Sequence, residues 1–183
     1  MSPGPATLLI AATSAAFGWR RALPLVVGLL GSMVVIMVLV GAGLAEWVLG
    51  NPGVAAIGSG FALVYMVYLA YRIATAPPVS ARTTEPVQAP PGFRSGFALN
   101  FVNPKAYAAV GAAFTGFSIV PRDPLTDVGV KCALSIGLIA LGHTLWLAVG
   151  ETIARFVRSP RSGRALNVAF AACLLVSLVA LAA

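Results

Sequence analysis

Long apolar runs separated by short polar segments dominate this chain of 183 residues. A helix rises about 1.5 Å per residue, so a bilayer core of about 30 Å needs about 20 apolar residues to cross it. Five runs of 18 to 24 residues approach or exceed that length, and none of them holds an acidic side chain. The predicted spans cover residues 22–45, 54–71, 97–120, 130–149 and 165–183.

The segment 1–16 is apolar as well, but at about 24 Å it falls short of the bilayer core. A signal peptide would begin with a positively charged region, whereas Pro3, Gly4 and Pro5 occupy that place here. We therefore interpret the segment as a helix that lacks its first turns, with more apolar residues expected in frame upstream of Met1. The sequence predicts an all-α integral membrane protein with six transmembrane helices, the first of them a candidate for truncation by the choice of start site.

Composition excludes the main soluble classes of protein. Apolar residues make up 59% of the chain and charged residues 9%, and the mean hydropathy is +0.93. A soluble domain carries about 25% charged residues, so this chain has too few to cover a surface that faces water. An ordinary soluble enzyme, a disordered tail and a disulfide-stabilised secreted module are all excluded. The two cysteines stand far apart without a CxxC motif, so neither a dithiol site nor a metal or other cofactor is predicted.

Most of the basic residues lie in every second connection between the predicted spans, and therefore on one side of the membrane. Basic residues favour the cytoplasmic side of a membrane, so the first, third and fifth connections are predicted to be cytoplasmic and both termini to face outward. The net charge of +7 is then explained by topology at a bacterial inner membrane, and no nucleic-acid partner is predicted. The second and fourth connections carry only Arg122 and, at the start of the fifth span, Lys131, whereas the odd connections carry Arg20, Arg21, Arg72, Arg82, Arg94, Arg155, Arg158, Arg161 and Arg164.

The connection 72–96 is the longest, and its Pro, Ala, Ser and Thr content is typical of a flexible linker. It separates three predicted helices from three more, so the second half enters the membrane from the side opposite to the first. Inverted repeats of this kind are a common plan of secondary transporters, whose binding sites use helices broken at matching positions. The predicted organisation is a first three-helix repeat over residues 1–75, a cytoplasmic linker over 76–96 and a second three-helix repeat over 97–183.

Each half opens with a cluster of residues that disrupts a helix. Proline removes a backbone donor and obstructs the carbonyl one turn earlier. Lipid cannot satisfy the freed groups, so they must be buried in protein or line a watery cavity. A proline can also simply kink a membrane helix, but two clusters in matching positions favour a binding site for a polar solute. The candidate substrate-binding residues are Pro3, Gly4, Pro5, Asn103, Pro104 and Lys105.

Lys105 is the basic residue that lies deepest in a predicted span. A charge at the bilayer centre costs at least about 2.5–3.5 kcal/mol, which favours a functional or paired role over a side chain that extends to the interface. A substrate carboxylate is its natural partner, and Asn103 offers an amide to the rest of the solute. No carboxylate lies deep in a predicted span, so His143, Glu151, Lys105 or the substrate itself must carry a coupling proton. For His143, a hydrogen bond between helices is an equally good explanation.

Four motifs together resemble the lysine exporter and homoserine/threonine resistance (LysE/RhtB-type) family. They are Pro3-Gly4-Pro5, Gly18-Trp19-Arg20-Arg21-Ala22, the stretch from Tyr65 to Arg72 and Asn103-Pro104-Lys105-Ala106. The resemblance implies a six-span inner-membrane exporter of amino acids or related small metabolites, driven by the proton gradient. Family members often have Asn where this chain has Ala6, which implies a less polar solute. Compact six-helix carriers often pair, so by analogy a homodimer is a candidate assembly.

The leading hypothesis is a carrier in which two helix triplets rock about a midplane site built from the first and fourth spans. A membrane scaffold or assembly subunit would leave Lys105 and the paired proline clusters unexplained. An exporter of metal cations would need acidic or thiolate ligands inside the spans, and an intramembrane enzyme would need an activated nucleophile or paired acids. The small residues Gly28, Gly31 and Ser32 are expected to be packing positions between helices rather than ligands.

Overall fold

The computed structural model describes residues 4–42, 51–76, 89–157 and 159–182, and every regular element in these ranges is an α-helix. The predicted helical class is therefore confirmed for the described part of the chain. In chain order the helices are α1 (Pro5–Phe17), α2 (Trp19–Gly41), α3 (Pro52–Ala74), α4 (Phe93–Phe101), α5 (Pro104–Thr115), α6 (Pro124–Phe156) and α7 (Pro160–Ala182).

Two of these helices, α2 and α6, are long and apolar enough to cross a membrane by length and composition. Helix α1 and the part of α3 from Leu63 to Ala74 are apolar but shorter. The predicted fourth span, residues 97–120, is divided into α4 and α5, which are separated by Val102 and Asn103. The chain thus contains a broken helix where the Asn-Pro motif interrupts the apolar run.

The connection between α1 and α2 is shorter than the gap between the predicted segment 1–16 and the predicted span 22–45. Only Gly18 separates the two helices, and its φ of 91° is a conformation that glycine adopts at little cost. Helix α2 already begins at Trp19, and the guanidinium of Arg20 lies 5.3 Å from the centre of the Trp19 ring. The predicted second span was too short at its start because an apolar run marks only the length that faces lipid. Long basic side chains at the end of the run can continue the helix.

Helix α6 is 33 residues long, whereas the sequence predicted a span over residues 130–149. Its start is fixed by Asp123, whose carboxylate accepts two backbone N–H groups of the first turn, and by Pro124 at the first helical position. Asp127, which precedes the predicted span, is in that first turn, and its carboxylate lies 2.8 Å from the ammonium of Lys131. The first two turns of α6 therefore extend the apolar run with a polar, hydrogen-bonded end.

Helices α2 and α4 approach each other through glycines. A Cβ added to Gly28 would lie 3.0 Å from the Cα of Phe93 and closer still to its carbonyl group. A Cβ added to Gly96 would lie 3.0 Å from the backbone nitrogen of Leu29. Only a hydrogen atom at these two positions lets the backbones come this close, so Gly28 is a packing position, as the sequence indicated.

The broken helix follows α2 along most of its length. One turn beyond Gly96 and Gly28, the Asn100 side chain of α4 is hydrogen-bonded to Ser32 of α2. Because residue numbers rise together along this contact, α2 and α4 run parallel. Further along, the second half of α2 packs against α5 in a separate buried cluster. That cluster comprises Ile36, Met37, Ala106 and Val110.

Helix α1 packs most extensively against α6, and α3 against α7. A Cβ added to Gly150 of α6 would lie 2.9 Å from the Cβ of Ser14, whose hydroxyl donates to the carbonyl of Leu147 at 2.8 Å. At the other contact, the side-chain amide of Asn167 donates to the carbonyl of Ala76 at 3.0 Å. One buried hydrophobic cluster joins residues of α1, α2, α3, α4, α6 and α7.

The loop between α5 and α6 is held by the ion pair at the start of α6. Asp127 accepts hydrogen bonds from the N–H of Val120 at 2.7 Å and from the hydroxyl of Ser118 at 3.1 Å. Lys131 donates to the carbonyl of Phe114, at the end of α5, at 3.0 Å. The ammonium of Lys131, followed by the N–H of Val120, lowers the pKa of the Asp127 carboxyl well below its ordinary range. These contacts fasten the end of α5 to α6.

Candidate functional site

The break in the predicted fourth span lies at Asn103. In a continuous helix the carbonyl of Asn100 would pair with the N–H of residue 104, which proline lacks. That carbonyl accepts instead from the N–H groups of Val102 and Asn103, the latter at 3.1 Å. The carbonyl of Asn103 then accepts the N–H of Ala106 at 3.0 Å, which begins α5. The chain therefore turns tightly between the two helices, and Asn103 is partly exposed there.

A buried brace fixes the end of α4 to α2 one turn before the break. The side-chain amide of Asn100 donates to the hydroxyl of Ser32 at 3.0 Å and to the carbonyl of Leu29 at 3.3 Å. The Ser32 hydroxyl also donates to the Leu29 carbonyl, at 2.8 Å. Ser32 was expected to be a packing position, and Asn100 was not selected from the sequence. An asparagine one turn before an Asn-Pro pair, inside an apolar run, is the signal that could have identified it.

The first proline cluster lies at the start of α1. Gly4 is extended, with φ −120° and ψ 178°, and its N–H donates to the Thr7 hydroxyl at 2.9 Å. The Thr7 hydroxyl donates in turn to the carbonyl of Gly4 at 2.8 Å, and Pro5 is fully buried as the first residue of α1. Pro3 lies outside the described residues. Both candidate clusters therefore lie where a short helix begins, since α1 has 13 residues and α5 has 12.

Pro104 and Lys105 are the first two residues of α5, and their side chains lie outside the described part of the chain. The helices that pack against α5 differ from those that pack against α4. Leu99, one turn before Asn103, belongs to the same buried cluster as Leu9 and Ile10 of α1. Helices α1 and α4 are therefore neighbours, whereas α5 packs on α2 and α6.

Polar side chains without a hydrogen-bond partner lie on α1 and α6. Within the described ranges, buried Thr13 Oγ1, His143 Nδ1 and Glu151 Oε2 have no such partner. His143 is on the same side of α6 as Leu147 and Gly150, which contact α1. An unsatisfied buried polar atom is costly, so these positions are suited to binding a proton or a polar solute. Thr13 was not selected from the sequence, where its hydroxyl in an apolar run is the only signal.

The chemistry available at these positions is that of hydrogen bonding and charge. In the described part of the chain, no three His, Cys, Asp or Glu side chains are close enough together to hold a metal ion. Cys132 and Cys173 are both free thiols. Amides, hydroxyls, an imidazole and the start of α5 remain, and these groups offer hydrogen bonds rather than metal coordination.

The chain is similar to a family of translocators and to proteins that are named for efflux. The sequence profile of the LysE type translocator family matches residues 1–183. A protein of Escherichia coli O139:H28 named Cysteine/O-acetylserine efflux protein is 29% identical over 178 residues, which is 96% of this chain and 87% of that protein. Proteins of the same name in Escherichia coli strain K12 and in Salmonella typhi are 29% and 27% identical, each over 93% of this chain and 85% of the relative. No solved structure matches the chain significantly. The chain therefore belongs to the LysE type translocator family, and it is a membrane transport protein of the amino-acid exporter class, not an enzyme.

Proposed function

We propose that this protein exports a small amino acid or a closely related metabolite across the bacterial inner membrane. It does so by alternating access at a site between α1 and the broken helix α4–α5, with its basic connections in the cytoplasm and both termini outward. The relatives are named for the efflux of cysteine and O-acetylserine. Both are α-amino acids with short, uncharged side chains, and the proposed substrate belongs to the same class. The proton gradient drives its export.

The break at Asn103 is the observation that carries this proposal. The first N–H groups of a helix have no partner within the helix, and they form its positive end. A substrate carboxylate at the start of α5 is stabilised by that end and by Lys105, while Asn103 binds the remaining polar groups. A cation in the first turn of a helix is unfavourable by itself. The position of Lys105, second in α5, is therefore best explained by an anionic group that binds beside it.

The packing of the helices supports six spans in two inverted repeats. In that plan α1 corresponds to α4–α5, α2 to α6 and α3 to α7. When each helix is replaced by its counterpart in the other repeat, the contact between α1 and α6 becomes the contact between the broken helix and α2. The contact between α3 and α7 remains the same contact. These three contacts are the most extensive in the described ranges. The parallel course of α2 and α4 agrees with the plan, in which both helices lead from the cytoplasm outward.

The same plan puts His143 next to the first turn of α1, because α1 and α6 are parallel in it. Ser14 of α1 lies against Gly150 of α6. His143 is seven residues before Gly150, about 10 Å along the helix, and the same step back from Ser14 reaches Thr7. We therefore infer that His143 carries the coupling proton beside the substrate site, with Glu151 as the second candidate. His143→Gln should abolish acceleration by a pH gradient while exchange of labelled for unlabelled substrate continues.

Purified protein in vesicles tests the substrate class and the site. The vesicles are loaded with labelled cysteine, O-acetylserine, threonine or lysine, and release is measured with and without an imposed pH gradient. We expect faster release of cysteine or O-acetylserine than of lysine. A hydrogen bond to a charged group is worth about 1.5–3 kcal/mol, so Asn103→Ala and Lys105→Gln should slow release by about tenfold or more.

Two matched variants control for the chemical change itself. Asn51→Ala and Arg94→Gln remove the same kinds of group at exposed positions before α3 and on α4, and their release rates should equal that of the wild type. If the two site variants also match the wild type, the substrate is bound elsewhere. If wild-type vesicles release none of the four solutes faster than protein-free vesicles, the proposed substrate class is wrong.

A further inference from the structure

A groove with a basic end runs along the outer side of α7. It has a volume of about 520 Å³ and is open to the surroundings. Its residues follow the spacing i, i+3, i+4, i+7, i+8 and i+11, so they share one face of the helix. All of them are exposed, and they are Arg161, Arg164, Ala165, Val168, Ala169 and Ala172.

This face points away from the helix bundle. The residues of α7 that pack inward, Asn167, Phe170 and Ala171, are buried and lie between the groove positions in the sequence. Asn167 fixes this orientation, since its amide donates to the carbonyl of Ala76 at the end of α3. In a membrane protein, an outward face of this kind meets lipid.

The length and the polarity of the groove match one leaflet of a bilayer. From Arg161 to Ala172 the helix rises about 16 Å, which is close to half of a hydrocarbon core of about 30 Å. The two guanidinium groups lie at one end, where α7 begins, and the other four residues are apolar. A phospholipid has the same arrangement, with a charged headgroup joined to an acyl chain of about one leaflet in length.

The charge of the groove selects the headgroup. Neither Arg161 nor Arg164 forms an ion pair with an acid in the described part of the chain. Both lie in the first two turns of α7, where the positive end of the helix adds to their charge. Guanidinium groups bind phosphate oxygens through two parallel hydrogen bonds. An anionic lipid headgroup would neutralise the positive charge collected at this end.

We propose that this face of α7 is a binding site for one anionic phospholipid, with its phosphate at Arg161 and Arg164 and an acyl chain over the alanines. A second copy of the chain fits this face less well, because a twofold contact along α7 would bring four guanidinium groups together. Like charges at such a contact repel each other. The proposal requires only that the protein spans a membrane, and it does not depend on which solute is exported.

Photo-crosslinking in vesicles tests the site on the intact protein. The vesicles consist of phosphatidylcholine with a trace of a photoactivatable lipid, either phosphatidylglycerol or phosphatidylcholine, and labelled peptides of α7 are quantified by mass spectrometry. One basic residue near an anionic surface contributes about fivefold in binding, so two should give about a 25-fold preference for phosphatidylglycerol on α7. The double variant R161Q/R164Q should lose that preference. Ala169→Phe, which fills the groove and keeps both charges, should reduce labelling by both lipids.

The control variant R20Q/R21Q removes two exposed arginines from another helix, and labelling of α7 should then be unchanged. The proposal is overturned if R161Q/R164Q is labelled like the wild type, or if R20Q/R21Q lowers labelling of α7 equally, since the attraction would then be diffuse. Cys173 is exposed beside the groove, so it reports on the competing occupant. Efficient disulfide formation between Cys173 of two copies in the membrane would also overturn the proposal, because a second copy would then occupy this face.

Discussion

Replacing Gly96 by alanine should force α4 away from α2. The added Cβ would lie 3.0 Å from the backbone nitrogen of Leu29 and closer still to the carbonyl oxygen of Leu25. Carbon atoms normally approach such neighbours to about 3.5–4.0 Å, so α4 must retreat by at least about 0.5 Å. A shift of that size would break the 3.3 Å hydrogen bond from Asn100 to the Leu29 carbonyl. Gly96→Ala therefore disturbs both the contact and the brace that supports the break.

The cost can be estimated from two opposing effects. Overpacking of a tight contact costs about 1–3 kcal/mol, whereas alanine is favoured over glycine inside a helix by about 0.5–1 kcal/mol. We expect a net loss of stability of about 0.5–2 kcal/mol, together with slower release in the vesicle assay. Thermal unfolding of the purified protein in detergent measures the first effect.

The matched controls are Gly60→Ala and Gly111→Ala, because a Cβ at either position would meet nothing within 4 Å. These variants should be as stable as the wild type or slightly more stable. The double variant Gly28→Ala/Gly96→Ala should lose less than the sum of the two single losses, since the second Cβ enters a gap that the first has opened. If Gly96→Ala unfolds at the same temperature as Gly60→Ala, then α2 and α4 are not in the close contact described here.

Two further predictions concern the ends and the moving parts of the bundle. The pKa of the Asp127 carboxyl is lowered by Lys131 and the loop N–H groups, so its stabilising contribution is complete above the ordinary value of 3.8 and is lost only as the pH falls below it. Asp127→Asn should therefore lower the unfolding temperature equally at pH 7 and pH 5, and the difference from the wild type should shrink below pH 4. Asp123→Asn should change the unfolding temperature little, because aspartate and asparagine both cap a helix well. Equal effects of the two variants would contradict the contacts described between Asp127, Lys131 and the loop. A variant that carries Ser32→Cys and Asn100→Cys and lacks Cys132 and Cys173 tests whether α2 and α4 move together. A short bifunctional thiol reagent should leave its release rate close to that of the same protein before treatment, and complete inhibition would show that α2 and α4 must separate during transport.

The helical class and the break could be predicted because both depend on local chemistry. Apolar runs of bilayer length require helices, and proline at position 104 removes a donor wherever the segment lies. The start of α6 was also readable, since Asp123 followed by Pro124 is a helix-start signal, but the apolar run alone was used to place it. The brace between Asn100 and Ser32 could not be predicted. It joins residues 68 positions apart, and it depends on which turn of α2 faces α4.

The arrangement of close contacts changes the expected mechanism of alternating access. The sequence suggested that two consecutive helix triplets rock against each other, which would move α1–α3 relative to α4–α7. The glycine-mediated contacts join α2 to α4 and α1 to α6, so each pairs a helix of the first half with one of the second. Rocking of the triplets would have to shear backbones that are in direct contact. Motion of the α1–α6 pair relative to α2 and the broken helix would keep both glycine-mediated contacts intact. It would open and close the space between α1 and Asn103 where the substrate is proposed to bind. The moving bodies are thus expected to be pairs that exchange helices between the repeats.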